Sequence, residues 1–244
     1  MLNNLMETSV KKPLTPTPIK LKPRLRKLFQ LIDKYRDTYD EVWDCCCDHG
    51  YLGMKLLRKG VCKRVNFVDC VEHLTTDLSE RLAGFPAKKF SVQCLDAGKI
   101  QLTSQQRHLV VLAGIGGELA TTIIDTIIQN HPAYRIDFLL CPNTAQYHLR
   151  EYLMAKNFSL LEEDFLREKR WNYEIILTRY NDTESQTPVT SIGEHWQENN
   201  PDHIAYLKKM HGHYSDQVKS CQTGRATKIA NAYQDRLQIL TADH

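Results

Sequence analysis

Short apolar runs and helix-period stretches alternate along most of this chain. Ahead of the alternation, Leu21, Leu25, Leu28, Leu31 and Ile32 recur at helical spacing. They predict a helix over residues 20–35, with Pro23 suited to its first turn. Strands are then predicted at 42–46, 64–69, 89–95, 108–113 and 136–141, and helices at 52–59, 74–83, 118–129 and 145–156. Alternation of this kind implies right-handed βαβ crossovers and a parallel sheet covered on both faces. The near-continuous apolar content of the strands agrees with burial on both sides.

The alternation breaks after residue 156. Residues 158–167 and 173–180 both read as strands, separated by EKRWN (168–172). A parallel crossover needs about a dozen residues or more, so these two form an antiparallel hairpin. The fold class expected is α/β and Rossmann-like, with about seven strands, mostly parallel, and one antiparallel member near the edge. That is the arrangement of class I S-adenosylmethionine-dependent methyltransferases; a six-strand dinucleotide fold would have continued with a helix. Residues 181–192 are polar and predict a linker. Beyond it, Leu207, Met210, Tyr214, Val218 and Cys221 form one helical stripe. Ile229, Tyr233, Leu237 and Leu240 form another, beyond Gly224. The organisation expected is a flexible tail over 1–19, which contains Pro13, Pro16 and Pro18, a methyltransferase domain over 20–180, and a C-terminal helical hairpin over 193–244.

Composition narrows the class without naming a chemistry. A hydrophobic content of 42% with 25% charged residues is that of an ordinary globular protein. No apolar run is long enough for a membrane span, and no signal peptide is read at the start. The eight cysteines, at 45, 46, 47, 62, 70, 94, 141 and 221, fall mostly in or beside strands. That is reduced usage, and a cytoplasmic location is expected. The net charge of +3 is small, but nine Lys or Arg fall within residues 11–36 against a single acid, Asp33. Two readings stand for that segment: a solvated helix face, or a contact with a phosphate backbone.

In an open parallel sheet, ligands bind outside the carboxyl ends of the strands. Asp44 and Asp48 lie at the end of the first strand, Asp69 ends the second and Asp96 follows the third. Gly114, Gly116 and Gly117 follow the fourth and Asn143 the fifth. An acid after the second strand is placed for ribose hydroxyls, and Asp96 for an exocyclic adenine amine. Each acid alone would read as a helix cap or a loop residue; together on one edge they read as a site. The usual glycine-rich fingerprint is absent, because the first loop is Cys45-Cys46-Cys47-Asp48-His49-Gly50. Three adjacent cysteines do not match zinc-ligand spacing, and no metal is expected. Cys47 beside His49 reads either as a nucleophile or as a buried structural thiol. His73, His108, His131 and His148 read as loop or helix residues, and His203, His211 and His213 as a wet helix surface.

Several motifs resemble one family more specifically. KPRLRKL (22–28), D-x-x-x-DHGYL (44–52), LAGIGGEL (112–119), PN (142–143), LREYL (149–153) and YEIIL (173–177) are similar to the bacterial tRNA adenine-N1 methyltransferases of the TrmK type, which modify adenine 22 of tRNA. The resemblance covers residues 20–180 and, more weakly, the helical tail. It implies a class I methyltransferase domain with a helical C-terminal domain, S-adenosyl-L-methionine as cofactor and tRNA or another structured RNA as partner. Carried over by position, it implies Asp48, His49 and Tyr51 at the target base. Cofactor contacts would come from Asp44, Cys46, Gly50, Asp69, Cys70, Asp96, Ala97, Gly114, Gly116 and Gly117. RNA contacts would come from Lys20, Lys22, Arg24, Arg26 and Lys27. The chain departs from the family pattern in two places. Cys45-Cys46-Cys47 stands where that pattern has Ile-Gly-Ser/Thr, and Cys70-Val71-Glu72-His73 stands where a Gly-Pro step is usual. The alternatives to tRNA adenine-N1 methylation are a methyltransferase acting on another RNA, a protein or a small molecule, or a non-catalytic RNA-binding protein with a degenerate cofactor site.

Overall fold

The structure, a computed structural model, describes residues 19–183, 187–221 and 224–242. The proline-rich tail expected over 1–19 lies outside them except for its last residue. The chain order is α1 (Pro23–Lys34), β1 (Glu41–Cys45), α2 (Tyr51–Lys59), β2 (Arg64–Asp69), α3 (Glu72–Leu82), β3 (Phe90–Cys94), β4 (His108–Ala113), α4 (Gly117–Asn130), β5 (Ile136–Cys141), α5 (Gln146–Ala155), β6 (Ser159–Glu168), β7 (Trp171–Tyr180), α6 (Pro201–Cys221) and α7 (Gly224–Thr241).

The seven strands form one sheet in the order β3-β2-β1-β4-β5-β7-β6. The first five are parallel, and β7 runs antiparallel to both β5 and β6. The one reversed strand is therefore second from the edge, as the short hairpin connection requires. β5 is buried at every position and β4 at all but its last. Edge strand β3 is only half-buried.

One face of the sheet is filled by Ile123, Ile124 and Ile127 of α4 and Leu149 and Leu153 of α5. The other is filled by Leu28, Leu31 and Ile32 of α1, Leu52 and Leu56 of α2 and Leu78 and Leu82 of α3. The predicted stripe of α1 is thus the stripe that is buried. Its helix begins at Pro23, because Lys22 is extended and proline occupies the first turn.

Two expectations change. The hairpin turn is Lys169-Arg170 rather than five residues, since Glu168 already pairs with Trp171. The predicted linker is in part built into the fold. Val189 and Ile192 are buried, and Leu160 donates its N–H to Thr187 O at 2.7 Å.

The C-terminal hairpin packs against the sheet domain as well as on itself. Ile192, Trp196, Tyr206, Leu207, Ile229, Tyr233 and Leu237 share a cluster with Tyr147 of α5 and Phe165 of β6. Beneath that cluster Arg150 is fully buried between Glu174 (2.8 Å) and Glu163 (2.9 Å), and Tyr206 donates to Glu174 at 2.7 Å. Burial works against the guanidinium charge, and the two carboxylates outweigh it.

Three histidines are buried, and two of them, His203 and His108, depart from expectation. His203, expected on a wet surface, is buried against Phe165 and Trp196 because its end of α6 docks on the sheet domain. His108 is buried in β4, with Trp43 Nε1 3.3 Å from its Nδ1. His131 is buried as well and accepts the Leu102 N–H at 3.1 Å.

Candidate functional site

The strand order turns back on itself between β1 and β4. Such a switch point opens a crevice at the carboxyl ends of the strands. The loop after β1 and the loop after β4 flank it.

The β1 loop is held by left-handed backbone at alternate residues: Cys46 (φ 53°), Asp48 (φ 49°) and Gly50 (φ 62°). The turn is then closed by hydrogen bonds. Gly50 N–H donates to Cys47 O at 2.8 Å, and Cys47 N–H donates to Val68 O at 3.3 Å. Cys46 therefore adopts the conformation that favours the glycine of the family pattern, at a cost of about 1–2 kcal/mol for a residue with a Cβ. A Cβ on Gly50 would fall 2.7 Å from the end of the Leu78 side chain, and its positive φ favours glycine there.

Asp44 sits beneath the loop, fully buried, and accepts the Gly53 N–H at 2.9 Å. Burial raises its carboxyl to about 7, against the Gly53 hydrogen bond and with help from Asp69. Asp69 is also buried, and it ties two loops together. Its Oδ2 accepts Asp48 N–H at 3.0 Å and its Oδ1 accepts Val71 N–H at 3.1 Å.

The side chains that reach solvent are those of Asp48, His49 and Tyr51. His49 Nε2 lies 3.7 Å from Asp48 Oδ1, and its ring meets Tyr51 edge-on at 5.8 Å. Arg81 of α3 lies over the Tyr51 ring at 4.9 Å and donates to His49 O at 2.8 Å. Sequence reading did not single out Arg81; its helical spacing marks it only as exposed.

Burial pushes the Cys46 thiol up to about 11 and raises Cys47 further. Raised thiols oppose thiolate chemistry and favour the structural reading of Cys47. Cys45, Cys46, Cys47, Cys62, Cys70, Cys94 and Cys141 are free of disulfides.

Across the crevice, the β4 loop serves close approach of the chain to itself. A Cβ on Gly117 would fall 2.3 Å from Ala145 O. Gly114 (φ 94°) lies under the Arg24 guanidinium, which a Cβ there would meet at 3.1 Å. Arg24 is drawn into the site. It donates to Asn143 Oδ1 at 3.1 Å, lies over the Tyr173 ring at 5.1 Å, and offers its own N–H to Glu168 at 3.3 Å. Asn143 in turn donates to Gly114 O at 2.6 Å.

The remaining basic residues of the segment diverge. Lys20, Lys22 and Arg26 are exposed, while Lys27 pairs with Asp164 at 2.5 Å. On the far side of β1, Asp96 is exposed with one oxygen capping Gly98 N–H at 2.9 Å, Ala97 is buried and Cys70 is exposed. Acceptor carboxylates at the ends of adjacent strands fit a ligand that carries both hydroxyl and amine donors.

A cavity of about 590 Å³ opens at the opposite edge of the sheet, beside Tyr39, Arg107, Asp137 and Arg179.

A family model described as a methyltransferase domain matches residues 21–176. The chain belongs to that methyltransferase family. Nothing among curated proteins matches it. Among solved structures, Mycoplasma capricolum TrmK in complex with S-adenosyl-homocysteine superposes with a TM-score of 0.67 at 18% identity, covering 90% of this methyltransferase and 96% of that chain. The Bacillus subtilis M1A22 tRNA methyltransferase TrmK gives 0.67 at 18% identity, covering 91% and 98%. Streptococcus pneumoniae Sp1610, in complex with S-adenosyl-L-methionine, gives 0.68 at 20% identity, covering 86% and 98%. The class I methyltransferase fold with a helical C-terminal hairpin, expected from the motifs, is the fold these structures share.

No helix of the described residues is long and apolar enough to cross a membrane.

Proposed function

We infer that this methyltransferase transfers a methyl group from S-adenosyl-L-methionine to N1 of an adenine in tRNA, at position 22 by its resemblance to TrmK-type enzymes. The observation that carries the reading is the pair of loops, after β1 and after β4, that flank one switch point. The acceptor-rich loop Asp48–Tyr51 faces solvent beside the ends of β2 and β3, where Asp69 and Asp96 lie. When bound, the cofactor supplies a methyl carbon made electrophilic by its sulfonium.

In this reading, Asp69 and Asp96 accept from the cofactor's ribose and adenine. Cys46, Gly50, Cys70, Ala97 and Gly114–Gly117 line its path, and Asp44 holds the loop from below. Adenine N1 is itself a nucleophile near neutral pH, so the protein's task is alignment. Asp48 accepts from the exocyclic amine of the target base and favours the positive charge that develops on the ring. His49 and Tyr51 flank the base, which must be unpaired for N1 to be reached. Lys20, Lys22, Arg24, Arg26 and Lys27 answer the phosphate backbone. Residues 20–180 act as the catalytic domain and 193–244 as a helical domain beside it, working in the cytoplasm.

The assignment of Asp48 is tested by Asp48→Asn. Turnover on tRNA should fall by about a thousandfold while cofactor affinity stays within about twofold. Full turnover in the variant would remove Asp48 from the chemistry.

A further inference from the structure

The turn between β6 and β7 emerges beside the candidate site. Because β7 is antiparallel to both neighbours, β6 runs with β1–β5 and ends at their carboxyl edge. The turn Lys169-Arg170 is therefore on the same side of the sheet as Asp48 and Asn143.

Trp171 follows the turn and is 56% exposed. The other two tryptophans, Trp43 and Trp196, are 4% and 7% exposed. Arg170 lies over the Trp171 ring at 5.0 Å. Trp171 and Tyr173 are two residues apart in one strand and share a face, and Tyr173 lies under Arg24. Glu168, the register partner of Trp171, accepts the Arg24 N–H, and Arg24 reaches Asn143.

Beside the ring the acid is Glu168, its register partner, and the cations are Lys169 and Arg170 of the turn. The β6 acids Glu162 and Asp164 are taken by Lys34 and Lys27 of α1. Among the described residues neither Lys169 nor Arg170 has an ion-pair partner, and Lys22 is exposed. A single exposed indole, capped by a guanidinium at a basic turn, suits a nucleobase and its phosphates better than an apolar protein surface.

We propose that Trp171, with Arg170 stacked on it, is a platform for an unpaired nucleobase next to the base that enters the site. The platform rests on the RNA methyltransferase reading, but its own failure is separable from the failure of that reading. Stacking on an exposed aromatic tolerates any base, so the platform sets affinity for unpaired RNA rather than the identity of the target.

Intrinsic fluorescence tests it, because Trp171 is the one tryptophan open to solvent. Titration of the full chain with a tRNA transcript, or with a short oligoadenylate, should quench the acrylamide-accessible part of the emission. Trp171→Phe should abolish that quench while keeping KM for tRNA within about threefold, since a phenyl ring still stacks. Trp171→Ala should raise KM for tRNA about tenfold with kcat and cofactor affinity little changed.

Normal methylation of tRNA, with emission unmoved by RNA and KM unchanged in Trp171→Ala, would overturn the platform and leave the RNA reading standing. A wild-type chain that binds S-adenosyl-L-methionine but neither binds nor methylates RNA would overturn both.

Discussion

Arg24 donates to Asn143 across 3.1 Å, and the contact ties the first helix to the loop after β5. An N-terminal helix with a basic face is thereby anchored at the carboxyl edge of the sheet. The same guanidinium lies over Tyr173 and against Gly114, so it positions the wall opposite Asp48. Arg24→Ala should lower kcat/KM for tRNA by about 10–100-fold, the effect of losing a charged hydrogen-bonding group at a site. Affinity for S-adenosyl-L-methionine, measured by calorimetry, should stay within about twofold. An equal loss of cofactor affinity would contradict the RNA role proposed for Arg24.

Asp44 gives a pH dependence with a defined sign. Its carboxyl is raised from 3.8 to about 7, chiefly by burial. Between those values the folded state holds a proton that the unfolded state has lost. Asp44 therefore favours folding most below pH 4, and that contribution is lost as pH rises through 7. Asp40 and Glu163 act in a lower window. Lys63 and Arg107 hold Asp40 near 2; His195 and Arg150 hold Glu163 near 2 against its burial. Their contribution is present above the ordinary carboxylate range and is lost as pH falls toward 2. Asp44→Asn mimics the protonated acid and keeps an acceptor for Gly53. Denaturant titrations from pH 4 to 7.5 should show a falling stability in wild type and a flatter profile in Asp44→Asn. Parallel profiles would contradict the buried proton.

The buried Arg150 links the sheet to the helical hairpin through Glu174 and Tyr206. Arg150→Met removes the guanidinium that Glu163 and Glu174 share. A loss of about 3–5 kcal/mol is expected on breaking such a buried pair. Thermal unfolding measures it, and limited proteolysis should show faster cleavage near residues 187–200, where Arg150 also donates to Thr190 O.

Cys46 tests the fingerprint that is missing from the sequence. Its positive φ is strained for cysteine but free for glycine. Cys46→Gly relieves about 1–2 kcal/mol of strain and returns part of it as unfolded-state entropy. Stability should stay level or rise by up to about 1 kcal/mol, with cofactor binding retained. Cys46→Val, with a branched Cβ at the same φ, should destabilise the chain.

Much of this was readable in the residues. The αβ alternation and the short EKRWN connection fixed the parallel sheet and its one reversed strand. The stripe from Leu21 to Ile32 marked the buried face of α1. Three things were not readable, each for a physical reason. Burial of His203 depends on how α6 docks against Phe165, a tertiary contact with no periodic signature. The entry of Arg24 into the site depends on where α1 crosses the sheet edge, which helical spacing does not encode. The left-handed backbone at Cys46 and Asp48 is imposed by closure onto Val68 and Asp69, whereas local preference would favour glycine there.

The central claim is tested most directly by incubating the full chain with S-adenosyl-L-methionine and unmodified tRNA transcripts, then digesting to nucleosides for mass spectrometry. The expected result is one N1-methyladenosine per tRNA, absent when adenine 22 is replaced and absent with Asp48→Asn. Cofactor binding by the folded chain without any methylated adenosine in the tRNA would contradict it.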